Sequence, residues 1–64
     1  MTRTERLLHL MQLLRRQRAP VPGLALAAEL QISPRTLYRD MVTLRSQGAA
    51  IEGEPGVGYV LRPG

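Results

Sequence analysis

The 64-residue sequence contains no cysteine, no phenylalanine and no tryptophan. The absence of cysteine excludes disulfides, a thiol nucleophile and thiolate-bound zinc, and it is consistent with a reducing cytoplasm. Tyr38 and Tyr59 are the only aromatic residues, so the core has to be aliphatic, with each fully buried side chain contributing roughly 1.5 to 3 kcal/mol. A chain this short has room for one small domain, which buries only about 60% of its unfolded surface.

Long apolar runs are missing as well. The segment from Leu7 to Leu14 follows two arginines, as the apolar part of a signal peptide does, but His9 and Gln12 interrupt it. Arg15 follows where a small-residue cleavage site belongs. No segment approaches the roughly 18 apolar residues of a transmembrane helix. We therefore expect a soluble, cytoplasmic protein with no membrane partner.

No arrangement typical of a catalytic or metal site is present. His9 is the only histidine, and it is expected on the polar side of the first helix without a carboxylate or cysteine at ligand spacing. There is no Ser/His/Asp set, no glycine-rich phosphate loop and no pair of carboxylates in a cleft-forming context. The sequence predicts no catalysis, no bound metal and no cofactor.

Lysine is also absent, and all nine basic residues are arginine. The net charge is +4. Residues 1–18 carry a net charge of +4 and residues 33–48 carry +2, whereas residues 19–32 and 49–64 carry −1 each. The guanidinium fork suits bidentate recognition of a phosphate or a guanine edge. A GC-rich genome explains arginine in place of lysine equally well, but it does not explain this placement. The placement favours a polyanionic partner.

Two helices are predicted in the first half of the chain. Thr2 and Glu5 have the spacing of a capping box, and the apolar spacing that follows predicts a helix over residues 3–17. The apolar arc of this helix is wide enough for neighbours on more than one side. Pro20 and Pro22 end this first helix. A second helix is predicted over residues 24–31, with Val21 as a candidate strand residue between the two.

The third predicted helix covers residues 34–47 and has two opposed faces. Ser33 is placed to cap it, and Pro34 lacks the amide hydrogen that would go unpaired in the first turn. Gly48 is placed for a left-handed stop. At about 100° per residue, one stripe holds Leu37, Met41 and Leu44, and the other side holds Arg35, Arg39, Val42, Thr43 and Ser46, flanked by Thr36 and Tyr38.

Two strand-like segments, residues 50–52 and 57–61, follow the third helix and enclose a group of turn-forming residues. An isolated hairpin is marginal in water, so its apolar residues are expected to pack against the first helix. The small residue Ala27 and the short connection after the second helix are typical of a helix-turn-helix pair. The predicted fold is mostly α with a small β-hairpin. It is a winged helix-turn-helix domain over residues 1–64, in which three helices precede a two-stranded wing at residues 50–61.

Three segments of the chain, residues 3–8, 33–40 and 56–64, resemble the winged-helix domain of bacterial WYL-domain transcriptional regulators. The resemblance covers essentially the whole chain, and its central pattern, S-x-R-T-[LIV]-[YR]-R-D, is shared with related bacterial winged-helix families. It implies that the third helix enters the major groove of an operator and that a C-terminal WYL domain senses a ligand. Pro22 departs from the family, in which Thr or Ser commonly caps the second helix. Because the sequence ends at Gly64, an excised domain and a naturally short protein are both open.

The expected DNA contacts are centred on the first half of the third helix. Arg35 and Arg39 are the first candidates, and the sequence leaves open whether they pair with guanine O6 and N7 or clamp phosphates. Thr36 suits a phosphate or a thymine methyl, while Tyr38 suits a phosphate or packs against the second helix. Asp40 would repel DNA and is expected to pair with Arg39 or another arginine. The predicted contacts are Ser33, Arg35, Thr36, Tyr38, Arg39 and Thr43.

The wing is poorly suited to the minor groove. Glu52 and Glu54 lie just before its tip near Pro55, and only Arg62 is available to compensate for their charge. We therefore expect the wing to contribute packing and backbone contacts rather than deep insertion.

Sequence-specific binding of double-stranded DNA, as the operator-reading part of a bacterial regulator, is the predicted function. We expect a monomer to bind weakly and a homodimer to bind more tightly on two half-sites about one helical turn apart. That pairing would be made through this domain or through a C-terminal domain. The alternative is a winged helix used for protein–protein assembly, with Leu8 and Leu13 forming the partner surface. A membrane-surface first helix is a third, weaker alternative, because its apolar residues are needed for the core.

Overall fold

Three helices and a hairpin follow one another in residues 1–54 and 56–62, the part of the chain that the computed structural model describes. This architecture confirms the predicted fold class. The first and third helices end one residue earlier than predicted, and the second helix is displaced by one residue toward the N-terminus. The elements are α1 (Arg3–Arg16), α2 (Gly23–Leu30), α3 (Pro34–Ser46), β1 (Ile51–Glu54) and β2 (Gly58–Leu61).

The helix N-termini are capped differently from one another. At α1, Thr2 Oγ1 accepts from the Glu5 amide at 3.1 Å and the Glu5 carboxylate accepts from the Thr2 amide, which completes the predicted capping box. At α3, Ser33 Oγ accepts from the Thr36 amide at 3.1 Å, as predicted. At α2, Pro22 offers no side-chain cap, and the first amide hydrogen bonds go to its carbonyl. The second helix therefore begins without the stabilisation that the other two receive.

Left-handed residues end both α2 and α3. Gly48 has a φ of 96°, and the Ala49 amide bonds to the Leu44 carbonyl at 3.0 Å, which confirms the predicted stop. Gln31 has a φ of 57°, and the Ile32 amide bonds back into α2 in the same way. The sequence does not predict this second stop, because a left-handed backbone costs a residue with a Cβ about 1 to 2 kcal/mol.

The hairpin is antiparallel, with Ile51 opposite Leu61. Val21 adds a one-residue bridge on the other side of β2, where its amide and carbonyl bond to Tyr59 at 2.8 Å each. This bridge confirms that Val21 is strand-like. Gly58 has a φ of 114°, and a Cβ at this position would lie 3.2 Å from the Val21 carbonyl carbon, so the crossing of linker and strand requires a glycine.

The core is aliphatic and closes around one aromatic ring, that of Tyr59. α1 packs against α2 on one side and β2 on another, in agreement with its wide apolar arc. Leu13 packs against the edge of the core, whereas Leu8 is 61% exposed and takes no part in it. None of the helices in the described residues has the length and apolar character needed to span a bilayer. The buried set is Leu10, Leu14, Leu26, Ala27, Leu30, Leu37, Met41, Leu44, Ile51 and Tyr59.

Candidate nucleic-acid interface

α3 separates an apolar side from a polar side, as its sequence predicts. Leu37, Met41 and Leu44 are buried, with at most 6% of their surface exposed. The opposite side is exposed and carries two guanidinium groups, a phenol, a hydroxyl and one apolar side chain. We call this side the α3 outer face; it consists of Arg35, Tyr38, Arg39, Val42 and Ser46.

The structure places the other predicted contacts at the margins of this face. Ser33 is exposed at the start of α3, where its hydroxyl caps the helix and also donates to Thr36 Oγ1 at 3.0 Å. Thr36 and Thr43 are half-buried along the edge that faces α1. The six predicted residues thus form one continuous strip along α3, and their contact with DNA stays a prediction.

Tyr38 is partly exposed and also lies beside α2, so its position is compatible with both predicted roles, a phosphate contact and packing against the second helix. About half of the residue is exposed, at 52%. It also borders a small cleft of about 50 Å³ that Gly23 and Leu24 line at the start of α2. The ring can therefore rest against α2 while part of the side chain stays accessible to a ligand on the α3 outer face.

Asp40 is removed from the outer face by a buried ion pair. Asp40 is 1% exposed, and its carboxylate accepts two hydrogen bonds from Arg6, from Nε at 2.6 Å and from Nη2 at 2.9 Å. The expected pairing with an arginine is confirmed, and the partner comes from α1 rather than from Arg39. The hydrogen-bonded carboxylate raises the pKa of the Arg6 guanidinium. The pair fixes α1 against α3 and keeps a negative charge away from the surface that would meet DNA.

The Thr43 hydroxyl is engaged in hydrogen bonds within the protein. Its hydroxyl donates to the Arg39 carbonyl at 3.1 Å and accepts from Arg3 Nη2 at 2.9 Å. A hydroxyl has a single proton, so in this arrangement Thr43 has none left for a phosphate. The same contact brings the guanidinium of Arg3 beside α3. Sequence reasoning missed Arg3 because no pattern within α1 indicates which helix its first turn will meet.

Arg45 connects α3 to the wing. Its Nε donates to the Ile51 carbonyl at 3.0 Å and its Nη2 to the Gly53 carbonyl at 2.9 Å. The guanidinium carbon also lies 5.7 Å from the centre of the Tyr59 ring. The positive charge of residues 33–48 is therefore divided, since Arg35 and Arg39 lie on the outer face and Arg45 holds the hairpin.

The wing neutralises part of its own negative charge. Arg62 makes a bidentate ion pair with Glu52 through Nε and Nη2, and the guanidinium lowers the pKa of the Glu52 carboxyl. Glu54 ends β1 and is exposed. The tip at Pro55, on which the expectation of a shallow wing also depends, lies outside the described residues. The hairpin as described presents no basic group toward a phosphate other than one that is already paired.

His9 is half-buried on α1. In the described part of the chain, no three His, Asp or Glu side chains come together as metal ligands do. The site formed by α3 is equipped to bind, because its functional groups are hydrogen-bond donors and positive charges on a fixed helix.

A short α2–α3 connection, an exposed third helix and a hairpin beside it define a class of domain. Residues 6–60 match the protein family described as HTH domain, and the chain belongs to this family of helix-turn-helix domains. The chain is also 42% identical over 62 residues to a protein of Thermotoga maritima described as the probable transcription repressor NiaR. The aligned region covers 97% of this chain and 35% of that protein, so the chain spans about a third of the length of this curated relative.

Proposed function

We propose that the chain reads an operator sequence by placing the α3 outer face in the major groove of double-stranded DNA. The observation that carries the proposal is the exposure of Arg35 and Arg39 on a capped helix whose only buried carboxylate, Asp40, is neutralised by α1. A major groove about 12 Å wide admits an α-helix. Membership of the helix-turn-helix family supports the same orientation, in which the N-terminal half of the second helix of the pair meets base edges.

The residues of the outer face have complementary roles in this proposal. Arg35 and Arg39 each suit the bidentate contact with guanine O6 and N7, worth about 1 to 3 kcal/mol of discrimination. Val42 is 48% exposed in the middle of the polar face, and its methyl groups suit a thymine methyl. Tyr38 on this face and Thr36 at its margin suit the sugar-phosphate backbone, which fixes the register without reading sequence.

The wider role of the protein belongs to the proposal too. The name of the Thermotoga maritima relative favours a repressor of transcription, which acts in the cytoplasm by binding and not by catalysis. We propose a homodimer as the tight-binding form, on two half-sites one helical turn apart. A ligand-sensing domain of the WYL type is implied by the resemblance of the sequence, and the greater length of the relative is consistent with further domains in such regulators.

Selection of bound sequences from a pool of random duplexes tests operator reading. The wild-type chain is expected to recover one motif, and Arg35→Ala and Arg39→Ala are expected to lose specificity at one or two base pairs each. Arg16→Ala is the matched control, because Arg16 is an exposed arginine at the far end of α1. This control is expected to keep the wild-type affinity and to recover the wild-type motif.

The assignment of α3 fails if all four proteins recover the same motif with equal strength. The proposal as a whole fails if the wild-type chain enriches no sequence at low salt. Urea denaturation of each variant checks that a lost motif reflects a lost contact rather than an unfolded domain, because all three arginines are exposed and their removal is expected to change stability by less than about 0.5 kcal/mol.

A further inference from the structure

Four charged side chains from two helices meet at the edge of the α3 outer face. Arg3 and Arg6 come from the first turn and a half of α1, and Arg39 and Asp40 come from the middle of α3. Together with Thr36 they line a shallow cavity of about 140 Å³. One carboxylate against three guanidinium groups leaves two positive charges at this place. We call this cavity the α1–α3 basic pocket.

The hydrogen bonds in the pocket assign different tasks to the three arginines. Arg6 gives Nε and Nη2 to Asp40, so its charge is largely compensated by a partner of opposite sign. Arg3 is exposed and is held at one point, by Nη2 donating to Thr43 Oγ1. Arg39 is exposed on the same side of α3. The uncompensated charge of the pocket therefore belongs to the two exposed arginines.

Thr43 fixes the direction in which the Arg3 side chain extends. The hydroxyl is itself fixed, because it donates to the Arg39 carbonyl at 3.1 Å. An arginine on a surface usually samples many rotamers, and ordering it on binding costs about 0.5 to 1.5 kcal/mol. A hydrogen bond that orders Arg3 before binding removes part of this cost. The guanidinium is thus placed beside the outer face before any ligand arrives.

We infer that the α1–α3 basic pocket binds one phosphate of the DNA backbone, with Arg3 as its ligand and Thr43 as the residue that positions Arg3. The inference rests on the proposed function, because the phosphate is one that flanks the groove occupied by α3. Arg39 lines the same cavity and adds positive charge beside the phosphate, and phosphate oxygens accept bidentate pairs from arginine. In this arrangement α1 takes part in binding through its first residue, and the contact carries no sequence information.

Salt dependence separates this contact from a structural role. Neutralising one phosphate contributes about 0.9 to the slope of log affinity against log salt. Between 50 and 200 mM salt, the wild-type affinity is therefore expected to fall about 3.5-fold more than that of Arg3→Gln. Arg16→Gln, at the other end of α1, is the matched control and is expected to keep the wild-type slope. The motif recovered by Arg3→Gln in the selection is expected to be unchanged.

Thr43→Val tests the positioning role, because valine keeps the shape of threonine and removes the hydroxyl. Thr43→Val is expected to weaken binding when Arg3 is present and to have no further effect in Arg3→Gln, so the double-mutant cycle is not additive. A second measurement uses the selected duplex with a neutral methylphosphonate at one backbone position at a time. At one of these positions the methylphosphonate is expected to weaken binding by the wild-type chain and to leave binding by Arg3→Gln unchanged.

The outcomes distinguish this inference from the proposed function. If the wild-type chain binds its selected duplex and Arg3→Gln has the wild-type slope, the phosphate pocket is wrong and operator reading stands. A changed motif in Arg3→Gln would also overturn the pocket, since it would assign Arg3 to a base. If the wild-type chain selects no duplex, it is the proposed function that fails. Equal urea midpoints for the wild-type chain, Arg3→Gln and Arg16→Gln are expected, since both substituted side chains are exposed.

Discussion

Two bidentate arginine–carboxylate pairs of the same chemistry occupy opposite environments in this domain. Arg6 and Asp40 join α1 to α3, and their side chains are 20% and 2% exposed. Arg62 and Glu52 lie on the hairpin, and their side chains are 64% and 50% exposed. The partners of the first pair are 34 positions apart in the sequence and those of the second pair are 10 apart. Only the first pair determines how two distant elements meet.

Their difference lies in what happens when one partner is removed. A carboxylate that is taken out of water has lost its hydration, so it depends on the arginine for compensation. An exposed carboxylate keeps its water and loses little. Hydrogen bonds of similar geometry therefore stabilise the two regions to different extents. The α1–α3 contact is sensitive to a single charge, whereas the wing is not.

Removal of the buried charge is expected to have the largest effect on stability. Asp40→Asn replaces a carboxylate oxygen with an amide group and leaves Arg6 without its counter-charge, which is expected to lower the free energy of unfolding by about 2 to 4 kcal/mol. The total free energy of unfolding of a domain of this size is only about 3 to 10 kcal/mol. Urea denaturation followed by circular dichroism measures the change. The matched control is Glu52→Gln, the same chemical change at the exposed pair.

A double variant keeps this prediction testable if Asp40→Asn does not fold. Arg6→Met with Asp40→Leu replaces both charges with apolar groups, and such exchanges are often neutral or stabilising. The double variant is expected to fold and to recover most of the lost stability. Equal losses for Asp40→Asn and Glu52→Gln would contradict the distinction between the two pairs.

The sequence predicts the parts of this fold that depend on local spacing. The capping box at Thr2, the cap at Ser33 and the stop at Gly48 are each defined within a few residues, so a single sequence suffices. The three helices and the hairpin follow from periods of 3.6 and 2. The exposed position of Arg35 and Arg39 follows from the same periodicity, because the apolar stripe of α3 determines which side is left.

Contacts between elements are what the sequence alone leaves undetermined. Periodicity places Asp40 near the buried side of α3 but does not say that Arg6 will meet it. Arg45 lies on α3 as Arg35 and Arg39 do, and only the position of the hairpin assigns it to the Ile51 and Gly53 carbonyls. Likewise, only the way in which α1 crosses α3 brings Arg3 to Thr43. In each case the partner is set by how two elements cross, and that angle depends on the packing of the whole core.

Arg45 is expected to lie between the two ion pairs in its effect on stability. Arg45→Met keeps the aliphatic stem but removes two hydrogen bonds to carbonyls and the contact with the Tyr59 ring, so the free energy of unfolding is expected to fall by about 1 to 2 kcal/mol. Hydrogen exchange is expected to show faster opening of β1 before any change in α1 or α2. Arg35→Met, on the same helix, is the control, and an equal loss in that variant would contradict a wing-specific role for Arg45.

The exposed pair is expected to give the smallest effect and to reveal itself through pH. Because the Arg62 guanidinium lowers the pKa of Glu52 from its ordinary value of 4.5, the folded state binds this proton less readily than the unfolded state. The pair therefore adds stability above the unfolded-state pKa, and the addition is lost as the pH falls through the folded-state pKa. The stability difference between the wild-type chain and Glu52→Gln is expected to be small at pH 7, to shrink in high salt and to vanish in acid. If the stability difference instead grew as the pH fell, Glu52 would stabilise the wing in its protonated form. The contrast between the exposed Arg62–Glu52 pair and the buried Arg6–Asp40 pair would then be wrong.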